Sequence, residues 1–381
     1  MKVAPTIARL KPYEAGKPLD ALERELGISG AIKLASNENA WGPPPGVAAA
    51  VQAALGELHI YPDAANHKLR EAIATWLGVA PNRLVFGNGS NELLSLIAKT
   101  FAEPGDTVLS SAGSFIAYRI VAMAHGHNFV ETPMTPGFGY DLDALLDAVD
   151  NTTRVIFIAN PNNPTGTHVG HAALSRFIDG VLAKTAHREP PFIVLDEAYL
   201  EYVDDPDPVD GLALVARCDH VIVARTFSKA WGLAALRLGY AYCSELAANF
   251  LNRVREPFNI NGLAQVAALA ALADRAHIDA GVAACRVERA RVHAAFEALG
   301  LDPVPSQANF IFVRIPRNVA LRIDPAGDGA GAATKLYDGL LRAGVIVRPM
   351  GAAGFADALR ITIGLPSENA RMLEALGPLL G

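Results

Sequence analysis

The chain has 381 residues, a formal net charge of −6, and 51% apolar against 19% charged side chains. This ordinary globular balance excludes a disordered chain and the broad basic surface of a general nucleic-acid binder. The length exceeds one small core and fits a large domain plus a smaller one.

Residues 1–18 mix Lys2, Arg9, Lys11 and Lys17 with prolines and hold no apolar stretch of signal-peptide type. Residues 263–273, the most apolar helical stretch, fall far short of a bilayer span. A cytoplasmic protein with no membrane partner is expected. Cys218, Cys243 and Cys285 are scattered and suggest neither a disulfide framework nor a zinc site. The histidines form no ligand-spaced cluster, so no metal is expected.

The first forty-odd residues hold Pro5, Pro12, Gly16 and Pro18, the run Ile32-Lys33-Leu34-Ala35, and Trp41-Gly42-Pro43-Pro44-Pro45. Proline at this density does not sit inside a helix, so the segment reads as an arm. Helical spacing follows at 47–55, 68–77 and 92–101, with strand-like runs at 83–86, 107–109, 155–158, 192–195 and 220–223. Short β-branched runs with helices between several of them indicate a mostly parallel sheet covered on both faces. After Gly262 a long helix is expected across 262–286. Strands at 309–313, 345–347 and 359–363 and a helix near 334–342 then suggest an α+β layer. The division expected is a large domain at 45–274, with 1–44 and 275–381 forming the arm and the small domain.

Ligands of open parallel sheets bind beyond the carboxyl ends of the strands. Three informative segments sit there: Asn160-Pro161-Asn162-Asn163-Pro164-Thr165-Gly166, Asp196-Glu197-Ala198-Tyr199 and Thr226-Phe227-Ser228-Lys229. Asn163 lies 33 residues before Asp196, and Asp196 lies 33 before Lys229. One strand–helix–strand repeat each time brings all three to one crevice. A desolvated lysine takes up an aldehyde. A carboxylate keeps a pyridine nitrogen protonated, while an amide and a phenol bond the ring oxygen. Phe86-Gly87-Asn88-Gly89-Ser90-Asn91 turns from strand into helix and suits a phosphate. Thr226, Ser228 and Arg237 can add hydroxyls and charge, and Phe115 is the candidate stacking ring. Trp231 and Tyr118 read as packing residues, and Asp204-Asp205-Pro206-Asp207-Pro208 as a solvated loop.

Thr226-Phe227-Ser228-Lys229-Ala230-Trp231-Gly232, with Arg237 eight residues past the lysine, resembles the attachment motif of class II aminotransferases that use pyridoxal 5'-phosphate (PLP). The Asn-Pro-Asn-Asn-Pro-Thr-Gly and Asp-Glu-Ala-Tyr segments resemble its partners in the family's order. The resemblance implies the PLP-dependent fold type I, aspartate-aminotransferase-like, an α/β architecture with a mostly parallel large sheet and a smaller α+β domain. It implies that Lys229 bonds the cofactor and moves the proton, and that Asp196 pairs with the ring nitrogen. Asn163 and Tyr199 would meet the ring oxygen, and Ser90, Asn91, Thr226, Ser228 and Arg237 the phosphate, with Phe115 on the ring face. Tyr61 would reach the cofactor of a neighbouring subunit, giving a homodimer with shared sites.

Lys11-Pro12-Tyr13, Gly16-Lys17-Pro18 and Leu34-Ala35-Ser36-Asn37-Glu38-Asn39 look like the arm of the histidinol-phosphate aminotransferase subfamily. Val347-Arg348-Pro349 and Leu359-Arg360-Ile361-Thr362 look like its paired arginines. That similarity implies Tyr13, Asn39, Arg348 and Arg360 at the substrate, with 2-oxoglutarate using the same arginines as the phosphorylated amine. Transamination of an aromatic amino acid, or decarboxylation of a phosphorylated amino acid, fits the same fold. A non-catalytic effector-binding descendant is disfavoured by the intact Lys, Asp, Asn and Tyr set and by the lack of an added DNA-binding segment.

Overall fold

The computed structural model describes residues 3–12 and 16–381. The arm is more helical than its prolines suggest. Pro5 opens the helix Pro5–Ala8, and Pro18 immediately precedes the helix Leu19–Leu26, which Gly27 ends at φ +64. A missing N–H costs no intrahelical bond at a helix start, so both prolines are tolerated. Strand β1, Ile32–Lys33, follows.

Seven strands form the large sheet: β2 (Leu84–Gly87), β3 (Thr107–Ser111), β4 (Asn128–Thr132), β5 (Thr153–Ala159), β6 (Phe192–Asp196), β7 (Val221–Thr226) and β8 (Gly239–Tyr242). Their order is β2-β8-β7-β6-β5-β3-β4, and every pairing is parallel except those of β8. Along β5, Ile156 and Ile158 enter one core while Val155 and Phe157 enter the other. That is the period-two alternation of a strand buried on both faces. Truncating any of these to alanine removes about 2–5 kcal/mol of stability. Strands β4 and β8 were not expected from the apolar pattern. The first is a largely exposed edge strand, and the second, Gly-Tyr-Ala-Tyr, has no β-branched residue.

The chain steps outward from β3 to β4, then crosses to β5 on the other side of β3 and continues to β6 and β7. The direction of winding reverses at β3. A crevice opens at such a switch point, beyond the carboxyl ends of the strands.

The single helix expected over 262–286 is two. Gly262–Leu272 ends, and the Asp274 carboxylate accepts from the His277 N–H at 3.2 Å to cap Arg275–Ala298. Strands β9 (Asp302–Pro303), β10 (Phe310–Arg314), β11 (Val345–Ile346), β12 (Arg348–Pro349) and β13 (Ala358–Thr362) follow. The second sheet has the antiparallel order β12-β13-β10-β9, while β11 pairs in parallel with β1 of the arm. The strand expected at 345–347 ends at Ile346, and β12 of the second sheet begins only after Val347. The acidic loop 204–208 is also more than solvated. Asp204 pairs with Arg289 at 2.8 Å, and Asp207 accepts the Ala172 N–H at 3.1 Å.

Candidate active site

A cavity of ≈ 1370 Å³ lies at the carboxyl ends of the large sheet. It exceeds the roughly 300–1,000 Å³ of a single-ligand site because it also extends to Thr107, Asn128 and Val130 at the β3–β4 edge. Ser90, Asn91, Phe115, Asn163, Asp196, Tyr199, Thr226, Ser228, Lys229, Arg237, Arg348 and Arg360 all line it.

At one corner, Gly89 takes φ +77 just before the helix Ser90–Phe101. A Cβ there would lie 2.4 Å from Nη2 of Arg237, so a glycine is needed for the guanidinium to lie against the turn. Arg237 Nη1 donates to Ser228 Oγ at 3.2 Å, and the Ser228 N–H donates to Thr226 Oγ1 at 3.1 Å. Unbonded N–H groups of the first helical turn, the helix dipole, two hydroxyls and a guanidinium thus meet at one corner. Arg237 and Asn91 remain exposed, so this corner opens to the surface.

Asp196 ends β6, and its side chain is buried. Oδ2 accepts from Tyr118 Oη at 2.9 Å, whereas Oδ1 has no hydrogen-bond partner among the described residues. Burial raises the carboxyl to about 6, opposed by the Tyr118 hydroxyl and the Ala198 N–H. Tyr118, expected only to pack, therefore has a second task. The available signal was its spacing: three residues after Phe115, it presents to the same side of a helical turn. The Phe115 ring meets Tyr118 edge-on at 5.7 Å.

Lys229 Nζ donates to the Ser36 carbonyl at 3.2 Å and lies 5.7 Å from the Tyr199 ring centre. Burial, then Arg360 and Arg237, lowers its amine to about 7, against the opposing pull of Glu38 and Asp196. The loop after the lysine is pinned from the arm. Gly232 sits at φ +71, where a Cβ would lie 2.6 Å from Pro43 N. Buried Trp231 packs edge-on against Trp76 at 5.3 Å and also donates from Nε1 to Glu201 Oε1 at 2.9 Å.

The opposite wall comes from the second sheet and the arm. Arg348 and Arg360 are direct register partners across β12 and β13. Like charges placed opposite each other destabilise a sheet unless an anion or acceptors offset them. Arg360 donates from Nη1 to Asn163 Oδ1 at 2.6 Å and from Nη2 to the Ala35 carbonyl at 2.8 Å.

Two expected residues, Asn39 and Tyr61, are not brought into this cavity. Asn39 donates its amide to the Ala230 carbonyl at 2.9 Å and accepts the Trp41 N–H at 3.0 Å, so it braces the arm against the lysine loop. Asn37 faces the cavity instead: its Nδ2 donates to Tyr199 Oη at 2.9 Å, and its Oδ1 accepts from Thr362 Oγ1 at 3.1 Å. Its positive φ of 56° gave no sequence signal. Tyr13 lies outside the described residues. Tyr61 is 79% exposed, stacked on Phe258 at 4.6 Å and away from the lining.

The family model for "Aminotransferase class I and II" matches residues 29–376. The chain belongs to the class I and II aminotransferases. A histidinol-phosphate aminotransferase of Anaeromyxobacter sp. (strain Fw109-5) is 46% identical, with 100% of this chain and 99% of that protein covered. Histidinol-phosphate aminotransferase 2 of Pseudomonas aeruginosa is 43% identical over 99% of this chain and 97% of its own. The crystal structure of histidinol-phosphate aminotransferase from Sinorhizobium meliloti, in complex with pyridoxal-5'-phosphate, superposes with a TM-score of 0.87. It is 29% identical, covering 100% of this chain and 97% of that one.

In this aminotransferase the donor set fits a phosphorylated pyridine aldehyde. Asp196 keeps one buried oxygen unpartnered, the bare Gly89 turn lets the Arg237 guanidinium lie against the helix start, and burial lowers the lysine amine to about 7. Among the described residues no His, Cys, Asp or Glu group forms a metal site, and no helix is long and apolar enough to cross a membrane.

Proposed function

We propose that this aminotransferase binds PLP in the crevice and transfers the amino group of histidinol phosphate to 2-oxoglutarate, giving imidazole-acetol phosphate and glutamate in histidine biosynthesis. The observation carrying this reading is one cavity holding a near-neutral lysine, a half-partnered buried carboxylate and, opposite them, two register-paired arginines. Bound there, PLP supplies an aldehyde that takes up amines and a protonated ring that draws electrons from the substrate's α-carbon.

The chain's own groups orient that chemistry. Asp196 Oδ1 would accept from the ring N–H, and Phe115 would cover a ring face. Arg360 occupies Asn163 Oδ1, which leaves the Asn163 Nδ2 donor for the ring oxygen beside Tyr199 Oη. Ser90, Asn91, Thr226, Ser228 and Arg237 would hold the cofactor phosphate. Lys229 Nζ, whose amine burial lowers to about 7, would remove and return the proton at the substrate's α-carbon. Arg348 and Arg360, with Tyr13 of the arm, bind the substrate's phosphate, and the arginines bind the carboxylates of 2-oxoglutarate in turn.

The same reading makes the protein a cytoplasmic homodimer. Tyr61 is exposed, as are Leu58 and Ile60 nearby, and in such a dimer it would extend to the open phosphate corner of the second subunit. The three cysteines are buried free thiols, suited to a reducing compartment.

The test is a panel of amino donors with 2-oxoglutarate as acceptor. Histidinol phosphate should give the highest kcat/KM, well above phenylalanine and tyrosine. The reverse ranking means an aromatic amino acid aminotransferase, and CO2 release without amino transfer means a decarboxylase.

A further inference from the structure

We infer that Tyr118 is a positioning residue for the cofactor: its hydroxyl, donated to Oδ2 of Asp196, fixes the carboxylate so that Oδ1 is presented, charged, to the ring nitrogen. The inference rests on the PLP reading and assigns it a residue outside the attachment motif.

The geometry leaves Tyr118 little freedom. Its side chain is fully buried, its ring lies face to face with Phe157 at 4.7 Å and 10°, and its edge meets Phe115 at 5.7 Å and 86°. One side chain with two torsions therefore braces both the ring that covers the cofactor and the carboxylate that pairs with it. Burial and Asp196 push the phenol well above its ordinary range, so it stays an O–H donor at any working pH.

The groups acting on Asp196 come from several elements. Tyr118 comes from the helix Ala117–Ala124, and Tyr140 lies nearby with its Oη accepting the Ala159 N–H at 3.0 Å. Glu197, next on the chain, disfavours the Asp196 charge and is itself paired with Arg225 at 2.8 Å. Lys229, from the loop after β7, favours the charge. Among the side chains acting on the carboxyl, Tyr118 is the one that hydrogen-bonds it.

Tyr118→Phe keeps both ring contacts and removes the donor. Oδ2 then loses its side-chain bond, so the carboxyl titrates higher than in the wild type. Cofactor binding needs the carboxylate, so affinity falls as pH drops through that value, and the fall must come at higher pH in the variant.

The experiment measures PLP affinity of the full-length apoprotein from pH 5 to 9 by quenching of tryptophan fluorescence, alongside apoprotein melting. Tyr118→Phe should bind PLP about ten- to a hundredfold more weakly at pH 7, the loss expected for a hydrogen bond to a charged group. Its acid limb should move up by about one pH unit. An acid limb and affinity like the wild type's, or a lower melting temperature with an unmoved limb, reduces Tyr118 to packing and overturns the inference. Wild-type protein that binds no PLP overturns the cofactor reading and this inference with it.

A second measurement does not depend on the variant folding. The wild-type apoprotein should show a slowly exchanging hydroxyl proton at low field in its NMR spectrum, shifted upfield in Asp196→Asn. Absence of that signal, or no shift, contradicts the bond.

Discussion

The walls of the cavity proposed for cofactor and for substrate are held in different ways. Asp196 ends a strand of the large sheet, and Ser90, Lys229 and Asn163 follow one by three or four residues, so backbone pairing in one sheet sets where each begins. Arg348 and Arg360 sit on a second sheet, and that wall is completed by the arm through Ala35, Ser36 and Asn37. The first wall is set by one continuous sheet. The second depends on segments more than 300 residues apart in sequence meeting correctly: Asn37 bonds Thr362 through both its N–H (2.9 Å) and its Oδ1 (3.1 Å). Substitutions in the first wall should therefore abolish chemistry, and those in the second should grade affinity.

The largest effect is expected for Lys229→Ala. Turnover should fall by at least about a thousandfold, because both the attaching amine and the proton carrier are removed, while PLP still binds through its phosphate. Single-turnover absorbance with saturating amine checks this, and activity like the wild type's would remove Lys229 from its role. A related test addresses the shared sites. Mixing Lys229→Ala subunits with Tyr61→Ala subunits should restore activity above either parent, since one site per mixed dimer then has both residues. No recovery after proven subunit exchange contradicts a Tyr61 that serves the neighbour.

Arg360→Ala comes next, with kcat/KM expected to fall about ten- to a hundredfold in both half-reactions, mainly through KM. A loss confined to one half-reaction would show that the two substrates do not share this arginine.

The pH dependence of cofactor attachment sharpens the comparison further. The Lys229 amine is lowered from 10.5 to about 7, so the neutral, reactive form dominates above pH 7 and is lost below it. The attachment rate to apoprotein should rise through pH 7 and level off by about pH 8. A rate still climbing at pH 10 would mean an ordinary, solvated lysine.

Asn39→Ala should do least to the chemistry. It loses the bond to the Ala230 carbonyl and should cost about 1 kcal/mol of stability with KM nearly unchanged. A large KM effect would return Asn39 to the substrate, where the motif resemblance had put it.

The contrast between the walls also explains what could be read from sequence. The repeat of 33 residues between Asn163, Asp196 and Lys229 follows from strand–helix–strand geometry, so apolar runs and spacing were enough to bring them together. Asn37 and Asn39 are two residues apart in an arm with no such period. Which one faces the cavity depends on a positive φ at Asn37 and on a contact with the lysine loop. Tyr118 was hidden for another reason: an aromatic residue on an apolar helix face looks like core, and it is core except at its oxygen. β4 and β8 escaped because an exposed edge strand and a short Gly-Tyr-Ala-Tyr run lack the apolar alternation that marks buried strands.

The most direct measurement is borohydride reduction of the PLP-incubated protein, followed by peptide mass spectrometry. The result expected is one cofactor per chain, fixed to the peptide containing Lys229, with loss of the visible absorbance band that precedes reduction. A protein that stays colourless, or a cofactor fixed to another lysine, would contradict the assignment of Lys229 and with it the function proposed for the cavity.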